Sequence, residues 1–214
     1  IGVLNSKTKY IALIDADMRF KKNCFKFMLK DLSSSNFVGV EAIIKPDKIK
    51  SYFDKSYQEI MDIHINKSGP RKMIGTPTLW KSKVLKKYNF DPFFTGPSDD
   101  TDLCYRVFKK GYVFGGSKGM VLHVHRSNMK DFIKKYLWYG KGDAQFVMKH
   151  PERFFSIIKH QIYNYPIKIS FKMLLKGKIY STPFSFFAGL LRHIGMIIYF
   201  FERLINKKEK IYST

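Results

Sequence analysis

A chain of 214 residues with 45% apolar and 16% aromatic side chains carries enough hydrophobic material for a folded core, which excludes a disordered or low-complexity protein. Its 39 basic and 17 acidic residues leave a net charge of +22, a balance that favours phosphorylated substrates, anionic lipid surfaces or nucleic acid as partners. The lysines are spread along the whole sequence, so a dedicated nucleic-acid arm is not expected, and Cys24 and Cys104 alone give no disulfide framework and a reducing compartment by default.

The opening Ile1-Gly-Val-Leu-Asn has no charged region ahead of an apolar stretch, so no signal peptide is expected. The chain begins abruptly before a core strand and without Met, which reads as an N-terminally truncated fragment. Tyr10 to Ile14 is a short apolar run, predicted as a buried strand that ends on Asp15-Ala-Asp17. Ligands of α/β sheets gather beyond the carboxyl ends of strands. An Asp-x-Asp pair there is a compact hard-oxygen site suited to Mg²⁺ or Mn²⁺ carrying a diphosphate. Strand-end aspartates also serve as turn formers and helix caps, so the pair gains meaning only from support elsewhere.

Asn23 to Leu32 is predicted as a helix with Cys24, Phe25, Phe27, Met28 and Leu32 at its apolar positions. Phe37 to Ile44 reads as a second buried strand, ended by Pro46. A helix is expected over residues 51–64, broken by Ser68-Gly69-Pro70. Met73 to Trp80 is strand-like and contains Gly75-Thr76-Pro77; a helix from Ser82 to Lys87 follows.

The turn-rich stretch Asn89 to Ser98 leads into a predicted helix over 99–110, with Ser98 as N-cap and Gly111 as C-cap. That helix opens on Asp99, Asp100 and Asp102, where the macrodipole favours anions. Asp102 and Arg106 have the spacing of an ordinary i,i+4 pair. A helix-start aspartate in a cleft can also accept a proton from a substrate hydroxyl, the work of a general base. Strands are expected at Tyr112 to Phe114 and Met120 to Val124. The second ends with His123 and His125 on one face, as donors to a divalent metal already held by carboxylate. Either histidine alone would read as a half-buried structural residue.

A longer helix is predicted from Met129 to Met148. Beyond Pro151 the chain turns helical, aromatic and basic, and Phe184 to Phe201 holds only Arg192 and His193 as ionisable residues. Such a helix spans roughly 27 Å, marginal for a bilayer core. Charges near its middle are costly in lipid, so an interfacial or re-entrant helix is expected ahead of a clean span. Lys172, Lys176, Lys178, Lys207, Lys208 and Lys210 flank it and would draw anionic headgroups. The alternative is a core helix of a larger soluble assembly.

Taken in order, these pieces resemble the inverting family-two glycosyltransferases of GT-A fold. The resemblance covers roughly residues 1–150. It runs from Asn5–Tyr10 and Ile-Ala-Leu-Ile-Asp15-Ala-Asp17, through Ile74-Gly75-Thr76 and Tyr88-Asn-Phe-Asp-Pro-Phe-Phe, to Asp99-Asp100-Thr101-Asp102-Leu103-Cys-Tyr-Arg106-Val with Gly111-Tyr112. Val121-Leu-His123 and Tyr136-Leu-Trp138-Tyr139-Gly140 complete the series. The resemblance implies a partial GT-A, Rossmann-like mixed sheet with flanking helices over residues 1–150 and a helical, membrane-associating region over 151–214.

By position, Asp17 would ligate a divalent cation, Mn²⁺ or Mg²⁺, with His123 as further ligand and His125 as its substitute. Asp15 would touch the donor ribose or the metal. Asp100 matches the family's catalytic base, and Asp99 stands where that family usually has Glu. Gly75, Thr76 and Trp138 would lie near donor or acceptor sugar. The implied reaction is a single inverting displacement that moves a sugar from a nucleotide-sugar donor to a lipid-linked or glycan acceptor. It would take place on the anionic cytoplasmic face of the cell membrane, with no nucleic acid as partner.

Two departures stand out. The family's first nucleotide-binding strands have no counterpart in this chain, and Lys135-Tyr-Leu-Trp138 is not the Gln-x-x-Arg-Trp signature of processive members. Two other readings compete. A haloacid-dehalogenase-like phosphatase also starts from a strand and Asp-x-Asp, but wants Thr or Val where this chain has Met18-Arg19-Phe20. A basic membrane- or nucleic-acid-binding module accounts for the charge but leaves the ordered acid and histidine clusters unexplained.

Overall fold

Six short strands form one mixed sheet: β1 (Tyr10–Leu13), β2 (Met18–Phe20), β3 (Gly39–Pro46), β4 (Gly69–Arg71), β5 (Thr78–Lys81) and β6 (Phe114–His123). They belong to a computed structural model that describes residues 2–64, 66–94, 96–124 and 128–212. The helices are α1 (Gly2–Asn5), α2 (Cys24–Ser33), α3 (Tyr52–His64), α4 (Ser82–Tyr88), α5 (Asp99–Phe108), α6 (Met129–Lys149), α7 (Phe154–Lys159), α8 (Ser170–Leu175) and α9 (Thr182–Tyr212). The chain divides into two compact units. The first comprises Ile1–Lys50, Gln58–Pro92 and Asp99–Arg126, and the second Ser51–Tyr57, Phe93–Ser98 and Ser127–Thr214.

In the first unit the sheet order is β1-β5-β3-β6-β2, with β4 also paired to β6. The β3–β6 pair is parallel and the others are antiparallel. The register of β3 on β6 shifts between Glu41 and Ile43, an irregularity of the kind that re-aims a side chain. Strand β6 is twice as long as most because its two halves serve different partners. Phe114–Gly116 pairs with β4, and Val121–His123 pairs with β2.

Its glycine-rich centre, where the sequence predicts a gap between two strands, stays extended because neighbours press on it. A Cβ at Gly115 would stand 2.2 Å from the Phe37 ring, and one at Gly116 would stand 1.9 Å from the Lys67 carbonyl. Strand β4 likewise falls where Ser68-Gly69-Pro70 predicts a break. Pro70 sits in a three-residue piece paired on one side, where its missing N–H is tolerated.

Helix α2 buries Cys24, Met28 and Leu32, spaced by four, so a single stripe is apolar. A cluster of Val38, Ile74, Trp80, Val84, Leu85, Leu103, Cys104, Val107 and Phe114 forms the core, with the Trp80 and Phe114 rings edge to face at 5.2 Å. Asp102, fully buried, accepts from Arg106 Nε at 2.7 Å across one helical turn, the pair its spacing predicted. The same guanidinium donates to the carbonyls of Tyr88 and Asn89, which ties the end of α4 to α5. Gly111 closes α5 with φ 83°, as expected of a C-cap. Ser98, expected as an ordinary N-cap, instead has φ 98°, outside the extended range of such caps.

Ser51 and Asp54 open α3 with a reciprocal capping box: Ser51 Oγ accepts from the Asp54 N–H at 3.1 Å, and Asp54 Oδ2 accepts from the Ser51 N–H at 3.1 Å. In the second unit Asn128 caps α6 by accepting from the Asp131 N–H at 2.9 Å. Helices α6 and α9 cross closely through small residues. Cβ atoms at Gly140 and Gly195 would stand 2.0 Å from the Arg192 carbonyl and 2.1 Å from the Leu137 carbonyl. Between α7 and α8, residues His160–Ile169 are wound as a π-helix that carries Pro166.

The segment Ile179–Ile205 has a mean hydropathy of 1.6 and is long and apolar enough to cross a membrane. Glu202 and Arg203 lie near its end, whereas Arg192 and His193, near its middle, turn to partners inside the unit. Arg192 meets Asp143 with Nε–Oδ2 2.5 Å and Nη2–Oδ1 2.7 Å, Gln161 Nε2 donates to the same carboxylate at 2.8 Å, and His193 Nδ1 contacts Gln161 Oε1 at 2.9 Å. The penalty that weighed against a span therefore falls on a network satisfied inside the unit. Asp143→Ala would leave the guanidinium buried without its carboxylate. Urea unfolding of the full chain in detergent should show a loss of about 3 kcal/mol. A change within about 0.5 kcal/mol would mean that the pair contributes no more than an exposed one.

Candidate active site

Antiparallel pairing of β1 with β5 sets Leu13 opposite Thr78, so the residues just after β1 face those just before β5. Across that junction Thr76 Oγ1 donates to Asp15 Oδ2 at 2.7 Å. One residue earlier, the Gly75 N–H donates to Glu41 Oε1 at 3.2 Å. Glu41 belongs to β3, beside β5, and its other oxygen accepts from Arg71 Nη1 of β4; Arg71 Nη2 in turn donates to the Lys67 carbonyl. The loop carrying Gly75 and Thr76 is thus held from two sides by carboxylates.

Asp100 reaches the same loop from the first turn of α5. Its Oδ1 accepts from the Thr101 N–H at 2.6 Å, and Asp99 Oδ1 accepts from the Asp100 N–H at 2.8 Å. A Cβ placed on Gly75 would lie 3.4 Å from Asp100 Oδ2 and 3.7 Å from Glu41 Oε1, so both carboxylates crowd the space its missing side chain leaves. Asp15, Gly75, Thr76, Asp99 and Asp100 line one cavity of 150 Å³, walled by Trp80, Phe90 and Leu103. Gly75 and Asp100 also border a larger cavity of 530 Å³, together with Glu41, Lys67, Arg71 and Lys72.

Asp17 and His123 form a separate pair. Strand β2 aligns Met18 with His123, the Val124 N–H donates to the Asp17 carbonyl at 3.0 Å, and His123 Nε2 lies 3.1 Å from Asp17 Oδ2. Among the described residues no group of three His, Cys, Asp or Glu side chains could hold a metal ion. The pair offers one carboxylate and one imidazole, a mixed donor set that suits Mn²⁺ or Mg²⁺ when phosphate and water complete the shell. His125 lies outside the described residues. Trp138 is on α6 in the second unit, half exposed, beside Lys134, Lys135 and Lys141.

Sequence reading missed Glu41 and Arg71. The signal was available in part, since Glu41 is the one charged residue in the apolar run Phe37 to Ile44. Burial pushes the Glu41 carboxyl up from the usual 4.5 to about 7; Arg71 and the Gly75 N–H pull it down, and the Asp100 charge pushes it up again. Burial likewise raises the Cys104 thiol to about 12, and its Sγ donates to the Ile74 carbonyl at 3.3 Å, which marks it as a packing residue and not a nucleophile.

Compared with protein-family models and with curated proteins, the chain matches none. The geometry itself defines an α/β protein in which a strand-end carboxylate and a helix-start carboxylate face one cleft. Because the folded pKa of Glu41 lies above its unfolded value, its contribution to stability is full below pH 4.5 and is lost as pH rises through about 7. Thermal unfolding across that range should show a smaller decline for Glu41→Gln than for the parent chain; an identical decline would contradict the assignment.

Proposed function

We propose that this protein is a metal-dependent, inverting glycosyltransferase of GT-A type, moving a sugar from a nucleotide-sugar donor to a lipid-linked or glycan acceptor. The observation that supports this reading best is the shared lining of one cavity by Asp15, from the end of β1, and Asp99 and Asp100, from the start of α5, with Gly75 and Thr76 between them. A two-sided acid site of this kind suits displacement at an anomeric carbon, with the donor held on one side and the acceptor hydroxyl activated on the other.

Asp100 is the base. It sits at the positive end of the α5 macrodipole, and its Oδ1 is fixed by the Thr101 N–H, so the carboxylate is oriented before any acceptor arrives. Its part is to take the acceptor proton as the new glycosidic bond forms. Asp15, anchored by Thr76, orients the donor. Asp17 and His123 are the residues that would hold Mn²⁺ or Mg²⁺. When bound, such an ion offsets charge on the departing nucleoside diphosphate.

Membrane association belongs to the same reading. Helix α9 is long and apolar enough to span, and Phe187, Phe201, Leu204 and Ile205 are each more than half exposed on it. Lys172, Lys176 and Lys178 precede it in sequence, so anionic headgroups on the cytoplasmic face would complement the charge.

The test is transfer by the purified protein with UDP-, GDP- and dTDP-sugars in the presence of Mn²⁺. Asp100→Asn should lower turnover by on the order of 10²–10⁴-fold. Metal-dependent nucleotide binding should survive in that variant. Undiminished transfer would overturn the base assignment.

A further inference from the structure

The cavity of 530 Å³ that shares Gly75 with the cleft is within the range of small-molecule sites, whereas the 150 Å³ cleft is well below it. Its charged lining is two carboxylates, Glu41 and Asp100, and three cations, Lys67, Arg71 and Lys72. Glu41 is already committed to the Arg71 guanidinium and the Gly75 N–H. The two lysines are exposed at the cavity edge, and Lys72 Nζ lies 5.5 Å from the Phe108 ring centroid.

Arg71 is built in, not adventitious. Its side chain is only 15% exposed, Glu41 and the Lys67 carbonyl hold its two terminal nitrogens, and Gly116 leaves it room: a Cβ there would stand 2.5 Å from Arg71 Nη2. A guanidinium carries five donors, and its fork geometry matches phosphate oxygens.

We infer that this cavity is an anion subsite for the acceptor, holding a phosphate group on Lys67, Arg71 and Lys72 while the acceptor hydroxyl lies at Asp100. The inference rests on the reading of Asp100 as the base, because Asp100 is the charged residue that lines both cavities. The donor side then carries Asp15 and Asp99, and the acceptor side carries the cations. A phosphate-bearing acceptor is thereby favoured over a neutral glycan, since an anion gains charge-assisted hydrogen bonds from the three cations that a neutral molecule does not.

Binding can be read without turnover. Phenyl phosphate, titrated calorimetrically into the full chain, should bind roughly tenfold or more weakly to Lys67→Ala/Lys72→Ala. UDP with Mn²⁺ should bind that variant as it binds the parent. Lys83→Ala/Lys87→Ala, which removes two exposed lysines of α4, should bind phenyl phosphate like the parent and so separates the subsite from the general positive charge.

Vesicles of phosphatidylcholine with and without phosphatidic acid form a second arm. If the Lys67/Lys72 variant loses retention on phosphatidic acid, the phosphate belongs to a lipid; if it loses only phenyl phosphate, the phosphate is soluble, and either result supports the subsite. Unchanged phenyl phosphate binding in the Lys67/Lys72 variant would overturn it. So would equal weakening in the Lys83/Lys87 variant, or parallel loss of UDP. Phosphate binding that follows this pattern in a protein without transferase activity would leave the subsite standing and remove the enzymatic reading.

Discussion

A carboxylate inside an apolar sheet is destabilising, and for Glu41 an ion pair and a hydrogen bond offset part of that cost. Its two oxygens take Arg71 on one side and the Gly75 N–H on the other. Much of the first unit follows from that arrangement. Arg71 brings β4 onto the edge of β6, the Gly75 bond fixes the loop before β5, and the register shift between Glu41 and Ile43 falls at the same place. A hydrophobic residue in place of Glu41 could pack as well, but it would hold neither the guanidinium nor the loop. Retaining a buried ion pair here makes better sense as positioning than as stability.

The loop so held is the partition on which the proposed chemistry depends. Thr76 faces Asp15 and Gly75 faces Asp100, so two acidic motifs far apart in sequence share a short piece of backbone. Gly75 matters for its size as well. Because it has no side chain, the Asp100 and Glu41 carboxylates both come close to it, and the Asp100 charge contributes to raising the Glu41 carboxyl. In the second unit the same logic serves a different end. Arg192 and Asp143 satisfy each other and Gln161, so that an apolar helix can carry a charge without presenting it to its surroundings.

Much of this frame was legible in the sequence where local rules decide. The apolar run ending on Asp15, the Cys24–Met28–Leu32 stripe, the acid-rich start of α5 and the Asp102–Arg106 pair each announce themselves through spacing alone. The α/β character and the apolar carboxyl-terminal helix followed from the same patterns. What local rules could not supply were the pieces that exist only through pairing. Strands β2 and β4 are three residues each and are held by β6, and the glycines of β6 stay extended because Phe37 and the Lys67 carbonyl press on them. Arg71 was missed for the same reason, since nothing in Gly-Pro-Arg-Lys foretells a partner thirty residues earlier. At the candidate site the sequence named Asp15, Gly75, Thr76, Asp99 and Asp100, which the fold gathers on one cavity, while Asp17 and His123 pair separately and Trp138 falls in the other unit.

The Asp100 charge acts on the Glu41 carboxyl beside Gly75. The most direct measurement is an NMR titration of the Glu41 side-chain carboxyl carbon in the parent chain and in Asp100→Asn. A midpoint near the elevated value of about 7 in the parent, moving lower when the Asp100 charge is removed, is the result this account predicts. A Glu41 carboxyl that titrates at the ordinary 4.5, or one indifferent to Asp100, would contradict it.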